Sequence, residues 1–148
     1  MINSPNFIGT HYYSLDAKNR LAVPAKFRFY LEQDKELVIT QGLEGCLNLF
    51  PQSSWATLQE RLGGTPLKNK MDSRAFKRML YASASFVECD EEGRILIPQN
   101  LVEYSKLKRE VAVIGMGAKI ELWSKSLWQQ YQKKQMAAFS RNASQMEI

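Results

Sequence analysis

Asp16-Ala-Lys-Asn-Arg20-Leu-Ala-Val-Pro24 returns as Asp90-Glu-Glu-Gly-Arg94-Ile-Leu-Ile-Pro98, 74 residues further along the chain. Each copy has an Asp, three residues, an Arg, three apolar residues and a Pro. A second block, residues 42–55, is repeated as residues 115–128 with an offset of 73. Two blocks repeated in the same order indicate a duplicated unit, and a duplication of this kind governs the fold.

Each unit is predicted to contain two strands, a helix, two further strands and a second helix. Aromatic and β-branched runs favour the strands, and a Pro opens the first helix of each unit, where its missing N–H costs little. The predicted strands are 7–13, 20–23, 36–40, 46–50, 85–89, 94–97, 110–114 and 119–123. The predicted helices are 25–32, 53–62, 98–104 and 124–139, with a basic linking helix at 66–82.

A unit of about 60 residues with short strands can hardly bury a core by itself. We therefore expect the 148 residues to form one compact domain with pseudo-twofold symmetry. Its parts are a first unit (7–62), the linking helix (66–82), a second unit (83–139) and a flexible polar tail (140–148).

Composition narrows the class of protein. The net charge is +5 and the pI is near 9.2, which favours an anionic partner. Residues 1–83 hold 11 Lys and Arg against 7 Asp and Glu, whereas residues 84–148 hold 9 against 8. No apolar run reaches the ~20 residues that cross a bilayer, and the amino terminus lacks the pattern of a signal peptide. These features predict a cytoplasmic protein that contacts no membrane, with Cys46 and Cys89 as reduced, mostly buried thiols.

The sequence offers no basis for an enzyme. His11 is the only histidine, and it falls inside a predicted strand without a partner nucleophile. Gly115-Met-Gly117 lacks the third glycine and the following helix of a dinucleotide-binding loop. The cysteines have no metal-ligand spacing. We therefore expect no catalytic residue, no cofactor, no metal and no small-molecule substrate.

The two Asp...Arg loops carry the functional prediction. One interpretation is structural, in which the Asp caps the turn and the Arg forms a salt bridge to it. In the other, the Arg contacts phosphate or a guanine edge, and a hairpin loop that carries it enters the major groove. The second loop has Glu91 and Glu92, which would repel phosphate, so its Arg is expected to be the structural copy. The candidate DNA-binding residues are Asp16, Lys18, Arg20, Lys26, Arg28 and Arg94. Lys26 and Arg28 are expected near the first loop, on the helix that follows it.

Two other groups of residues are open to more than one interpretation. Trp55, Trp123 and Trp128 could stack on bases, although their spacing on apolar faces favours packing in the core or between subunits. The linking helix carries basic residues on several sides. These form a solvated face, or add phosphate contacts if the helix lies beside the first loop. They are Lys68, Lys70, Arg74, Lys77 and Arg78.

With both loops, the doubled Gly...Trp block and the basic helix, the chain resembles the MraZ family from about Phe7 to Phe139. The relatives of that family include the AbrB and MazE-type swapped-hairpin proteins. The resemblance implies a β-rich α+β fold, an AbrB-like swapped-hairpin β-barrel built from two tandem units with surrounding helices. It also implies a homo-oligomeric ring that binds double-stranded DNA at short direct repeats and regulates, usually represses, its own division and cell-wall operon from the nucleoid.

By position, Asp16, Lys18 and Arg20 match the first motif of the family, and Asp90, Gly93 and Arg94 match the second. Asn19 stands where the family usually has Gly; Asn tolerates a positive φ, so the turn is expected to survive. A second functional hypothesis is a non-catalytic protein-interaction module, either a scaffold or an antidote-like partner. The short polar tail offers few hydrophobic anchors for wrapping a toxin.

Overall fold

The computed structural model describes residues 4–31, 36–64 and 69–148. Within them the strands are β1 Thr10–Ser14, β2 Arg20–Ala22, β3 Glu36–Gln41, β4 Leu47–Pro51, β5 Ser85–Glu88, β6 Arg94–Leu96, β7 Glu110–Gly115 and β8 Ile120–Ser124. The helices are α1 Ala25–Arg28, α2 Gln52–Gly64, α3 Lys70–Ser83, α4 Gln99–Ser105, α5 Lys125–Met136 and α6 Phe139–Gln145. The mixed α+β class predicted from the sequence is confirmed.

The duplication is visible in the order of the strands. Six strands form one antiparallel sheet in the order β1-β7-β8-β4-β3-β5, and β2 pairs with β6 in a separate two-stranded ribbon. Exchanging each strand for its counterpart in the other unit reverses the sheet order and leaves it unchanged. The first strand of each unit pairs with the third strand of the other, as β1 with β7 and β5 with β3. The closed swapped-hairpin barrel stays a prediction.

The main core draws on both units. It lies between the six-stranded sheet and the β2–β6 ribbon, because Leu21 and Ile95 of the ribbon join alternate residues of the sheet strands. Successive side chains of a strand point to opposite faces, so the residues in between form clusters on the other side of the sheet. One contains Trp55 and Leu80. The other contains Cys46 and Trp123.

The core interpretation of the tryptophans is confirmed for two of them. Trp55 and Trp123 are 6% and 4% exposed. Trp128 is half-buried, with its ring 5.4 Å from that of Trp123. Both cysteines are free thiols, Cys46 buried and Cys89 half-buried. Burial raises the pKa of the Cys46 thiol to about 12 and also raises the pKa of Cys89, as expected for unreactive thiols.

Several element boundaries differ from the predicted ones. The first strand begins at Thr10 rather than Phe7, since Gly9 has a φ of 94° and Phe7 forms only an isolated bridge to Gly117. Helix α1 ends at Arg28, and Glu32 lies outside the described residues. The described part of the linking helix is α3, whereas 66–68 lie outside. The helix predicted at 124–139 is α5, which ends at Met136 rather than at about Phe139. Helix α6 then occupies much of the predicted tail.

Candidate nucleic-acid interface

The ribbon of β2 and β6 holds both arginines on one outward face. Arg20 is opposite Leu96, and Arg94 is opposite Ala22. Paired residues share a face, and alternate residues of a strand point the same way, so these four side chains lie together. Leu21 and Ile95 between them are only 1% and 0% exposed. Burial of these two residues therefore fixes the orientation of the arginines.

Asp16 organises the first loop. Its Oδ1 accepts hydrogen bonds from the backbone N–H groups of Lys18 and Arg20, each at 2.8 Å. Its Oδ2 accepts a third from Arg20 Nε, also at 2.8 Å. The pKa of Asp16 is lowered, chiefly by the hydrogen bond from the Arg20 backbone, because each donor favours the charged carboxylate. The structural interpretation of this Asp is therefore confirmed.

The second loop repeats this geometry. Asp90 accepts hydrogen bonds from the Glu92 and Arg94 backbones at 2.9 Å and from Arg94 Nε at 3.3 Å. The hydrogen bond from the Arg94 backbone is the main reason that the pKa of Asp90 is lowered. Asn19 and Gly93 occupy equivalent positions and have φ values of 63° and 77°. Asn19 therefore forms the left-handed turn that Gly forms in the other loop, as expected from its short polar side chain.

The two arginines differ in how many of their guanidinium nitrogens are already paired and in how exposed their side chains are. Arg20 uses Nε for Asp16, and within 4–31, 36–64 and 69–148 its two terminal nitrogens have no salt-bridge or hydrogen-bond partner. Arg94 contacts Asp90, and its terminal nitrogens lie 3.4 Å from Glu92 and 4.0 Å from Asp16. The Arg20 side chain is 36% exposed and that of Arg94 27%. Among the described residues, the terminal nitrogens of Arg20 are thus unpaired, whereas Arg94 is surrounded by carboxylates.

The remaining candidates are not all beside the first loop. Lys18 and Lys26 are exposed, but Arg28 lies against the second loop, where a side chain at Gly93 would collide with its guanidinium group. This corrects the expectation that Arg28 flanks the first loop. The reason is the ribbon pairing, which continues as a hydrogen bond from Val23 N to Gly93 O at 2.9 Å and carries the following helix past the second loop.

The described part of the basic linking helix, α3, lies on the face of the sheet opposite the ribbon and its loops. Leu80 of α3 packs in the cluster on the face of the sheet opposite the main core, whereas the ribbon covers the main core. Lys70, Arg74 and Arg78 are exposed on that helix, so they form a solvated face. Lys68 lies outside the described residues.

Two basic residues that the sequence analysis missed lie beside the first loop. Lys108 and Arg109 line an open depression of about 570 Å³ together with loop residues. The loop residues are Ser14, Leu15, Asp16, Ala17 and Asn19. The backbone N–H of Leu15 donates to Arg109 O at 2.7 Å. The cluster Lys106-Leu-Lys108-Arg109 was visible in the sequence, but only the pairing of β1 with β7 brings it to this loop.

The fold and the paired loops define a mixed α+β protein in which two Arg-bearing loops flank an antiparallel ribbon. Across the described ranges no group of His, Cys, Asp and Glu could hold a metal ion, and no described helix is long and apolar enough to span a membrane.

Comparison with known proteins identifies the family. A family model described as "MraZ protein, putative antitoxin-like" matches residues 6–79 and again 80–147. The chain belongs to the MraZ family. The two matches coincide with the duplication in the sequence, and the predicted membership is confirmed.

Several curated relatives carry the same name, "Transcriptional regulator MraZ". The one from Carboxydothermus hydrogenoformans is 39% identical over 95% of this chain and 96% of its own. The relative from Clostridium beijerinckii is 45% identical over 84% and 86%, and that from Lactiplantibacillus plantarum is 42% identical over 90% and 92%. The family is one of transcriptional regulators and not of enzymes.

Proposed function

We propose that this protein binds double-stranded DNA sequence-specifically and represses its own division and cell-wall operon. The observation that carries this proposal is that Arg20 is held by one nitrogen and has two unpaired ones among the described residues. Asp16 fixes its Nε while the terminal nitrogens remain available. A guanidinium held in this way needs little reordering to make a bidentate contact with guanine O6 and N7 or with a phosphate.

The ribbon also has a suitable shape for a DNA groove. A two-stranded antiparallel ribbon fits the major groove of B-DNA, and here the ribbon is backed by the buried side chains of Leu21 and Ile95. The base-reading role is assigned to Arg20, with Lys18 as an accessory cation. Lys26, on α1, is a second exposed cation after Lys18. Arg94 has a mainly structural role in the second loop, and Arg28 supports that loop.

One loop per subunit is a small footprint, so the proposal includes an oligomeric ring that binds successive direct repeats. Linking several weak contacts raises overall affinity without new contacts. The apolar surface that such assembly requires is present, since an open groove of about 870 Å³ lies along α2 and α3. Exposed apolar patches of this kind often mark protein interfaces. Apolar side chains at its edge are Leu43, Phe76, Met79 and Met116, which are 41–62% exposed.

The same proposal includes the barrel topology and the location of the protein in the cell. The exchange of first strands between the units supports an AbrB-like swapped-hairpin barrel. A DNA partner implies a cytoplasmic, nucleoid-associated protein.

The test is fluorescence anisotropy with a labelled duplex from upstream of the protein's own operon, against a scrambled duplex, at near-physiological salt. We expect Arg20→Ala to lose about 5- to 150-fold in affinity for the operon duplex, the equivalent of one bidentate base contact at about 1–3 kcal/mol. Arg94→Ala should retain selective binding. Arg74→Ala, which removes an exposed arginine on α3, is the matched control.

Equal and weak binding of both duplexes by all four proteins would contradict the proposal, because it would show only general charge attraction. The apolar groove would then favour the second candidate, a protein-interaction module. Recovery of one stoichiometric protein partner, bound without DNA, would identify that function.

A further inference from the structure

We propose that the depression between the first loop and Lys108–Arg109, called here the phosphate cleft, binds a backbone phosphate of the DNA. It is lined by Ser14, Leu15, Asp16, Ala17, Asn19, Lys108 and Arg109. This inference rests on the proposed function and adds a second contact to it. The phosphate contact, supplied by the second unit, sets the position of the loop that carries Arg20.

The two walls of the cleft are held to each other by backbone geometry. β1 pairs antiparallel with β7, with Ser14 opposite Glu110. The first loop leaves β1 at the point where Lys108 and Arg109 enter β7. The pairing extends past the strands as the 2.7 Å hydrogen bond from Leu15 N to Arg109 O. A phosphate bound between these walls is therefore held at a fixed position relative to the first loop, which carries Arg20.

The charge of the cleft favours an anion. Asp16 also lines it, but both carboxylate oxygens accept hydrogen bonds within the loop and its charge is paired with Arg20. Glu110, next to Arg109 in sequence, forms a salt bridge with Lys125 at 3.0 Å. Within the described residues, Lys108 and Arg109 have no salt-bridge partner, and both are exposed. Two unpaired cations therefore face a cleft whose acidic groups are already engaged.

The repeat argues that the cleft belongs to the first loop alone. The offset of 74 puts Asp34 and Lys35 at the sequence positions that correspond to Lys108 and Arg109. The first pair carries no net charge, whereas the second carries two positive charges. The second loop also has Glu91 and Glu92 in place of Ala17 and Lys18. The two units have therefore diverged in the direction expected if only the first binds an anion.

A phosphate contact has a signature that separates it from base reading. Phosphate contacts position a protein on DNA but carry no sequence information directly. Each one contributes to the salt dependence of binding, with a slope of log K against log salt of about −0.9 per phosphate. Loss of the cleft should weaken binding to every duplex, whereas loss of Arg20 should weaken binding to the operon duplex selectively.

The experiment measures the dissociation constants of Lys108→Gln/Arg109→Gln for the operon and scrambled duplexes over a range of salt concentrations. We expect affinity for both duplexes to fall by a similar factor, of about tenfold or more. The salt slope should become shallower by about 0.9, the value for one phosphate, and the ratio between the duplexes should not change. Lys133→Gln/Lys134→Gln, which removes the same charge from exposed positions on α5, is the control. Thermal melts establish that the variants are folded.

Three outcomes would overturn the inference. If the Lys108/Arg109 variant matches the control variant in affinity and slope while Arg20→Ala abolishes selective binding, the cleft binds no phosphate and the proposed function stands. If the variant loses the ratio between duplexes, the cleft contacts bases and not phosphate. If the wild-type protein binds neither duplex, the proposed function and this inference both fail.

Discussion

At the scale of single residues, each Asp of the repeated loops does the work of a turn cap and of an arginine holder at once. Asp16 takes two backbone N–H groups on one oxygen and Arg20 Nε on the other. The guanidinium is thereby oriented before any ligand arrives, which reduces the entropy lost on binding. This gives a reason for an Asp at this spacing beside an Arg that is proposed to contact DNA, even though a carboxylate repels phosphate.

The lowered pKa values of Asp16 and Asp90 predict the acid behaviour of the protein. Between the folded pKa and the ordinary value of 3.8, the unfolded chain binds more protons than the folded protein. The free energy of unfolding therefore rises with pH in this range. The contribution of the two carboxylates is fully present above about pH 5 and is lost as pH falls through the folded pKa values.

Urea unfolding between about pH 2.5 and 6 measures this contribution. We expect Asp16→Asn/Asp90→Asn to show a flatter dependence of unfolding free energy on pH than the wild-type protein, with most of the difference below about pH 4. Identical pH profiles for the two proteins would mean that the loop carboxylates are not preferentially ionised in the folded state.

At the scale of elements, the junction between the amino-terminal segment and β7 is closed by backbone contact. Phe7 and Gly117 exchange two hydrogen bonds, each at 2.8 Å, and the Phe7 side chain is fully buried. Gly115 lies beneath this segment, where a Cβ would collide with the backbone of Phe7 and Ile8. Backbone atoms held by two hydrogen bonds cannot easily move away, so this position requires glycine.

Gly115→Ala is therefore expected to lower the free energy of unfolding by about 1–3 kcal/mol, the usual cost of overpacking. The control is Gly64→Ala at the end of α2, where a Cβ would meet no atom of the described residues within 4 Å. That change should be neutral or raise stability by up to about 1 kcal/mol, because it restricts the unfolded chain. Urea midpoints compare the three proteins. Equal stability of Gly115→Ala and the wild-type protein would contradict the proposed close approach.

How far the sequence could predict these elements depends on the separation along the chain of the residues that form each feature. The turn at Asn19 and the alternation that buries Leu21 and Ile95 follow from local turn chemistry and strand periodicity, and both were predictable. The place of Arg28 beside the second loop, and of Lys108 and Arg109 beside the first, depends on which strands pair across the two units. Pairing between residues 72–76 positions apart in the ribbon and 96–104 apart between β1 and β7 leaves no local signal in a single sequence.

At the scale of the whole molecule, the two units are interlocked. β1 belongs to the first unit but pairs with β7 of the second, and β5 of the second pairs with β3 of the first. β4 and β8 join the units at the centre of the sheet, and the ribbon joins them again. The main core takes buried residues from both. Neither unit alone can complete its own sheet, which supports the proposal of one domain built from two repeats.

This interlocking predicts how the separated halves behave. Two polypeptides, residues 1–83 and residues 84–148, represent the halves. In each, the first strand lacks its partner strand, and the core residues lack those contributed by the other half. An isolated half has two ways to satisfy these groups: it pairs with the other half, or it pairs with a second copy of itself in the same pseudo-twofold arrangement. We therefore expect each half to be unfolded when dilute, to fold only as it dimerises, and to fold with its complement in a one-to-one mixture.

Circular dichroism and sedimentation measured over a range of concentrations distinguish these states, and the intact chain provides the reference spectrum. A mixture whose spectrum equals the sum of the separate halves would show that the halves do not complement each other. A half that stays folded as a monomer when dilute would show that the unit buries a sufficient core by itself. Either result would contradict the single-domain proposal. A short unit that cannot fold alone gives the physical reason for its duplication within one chain, because covalent linkage makes the pairing intramolecular and independent of concentration.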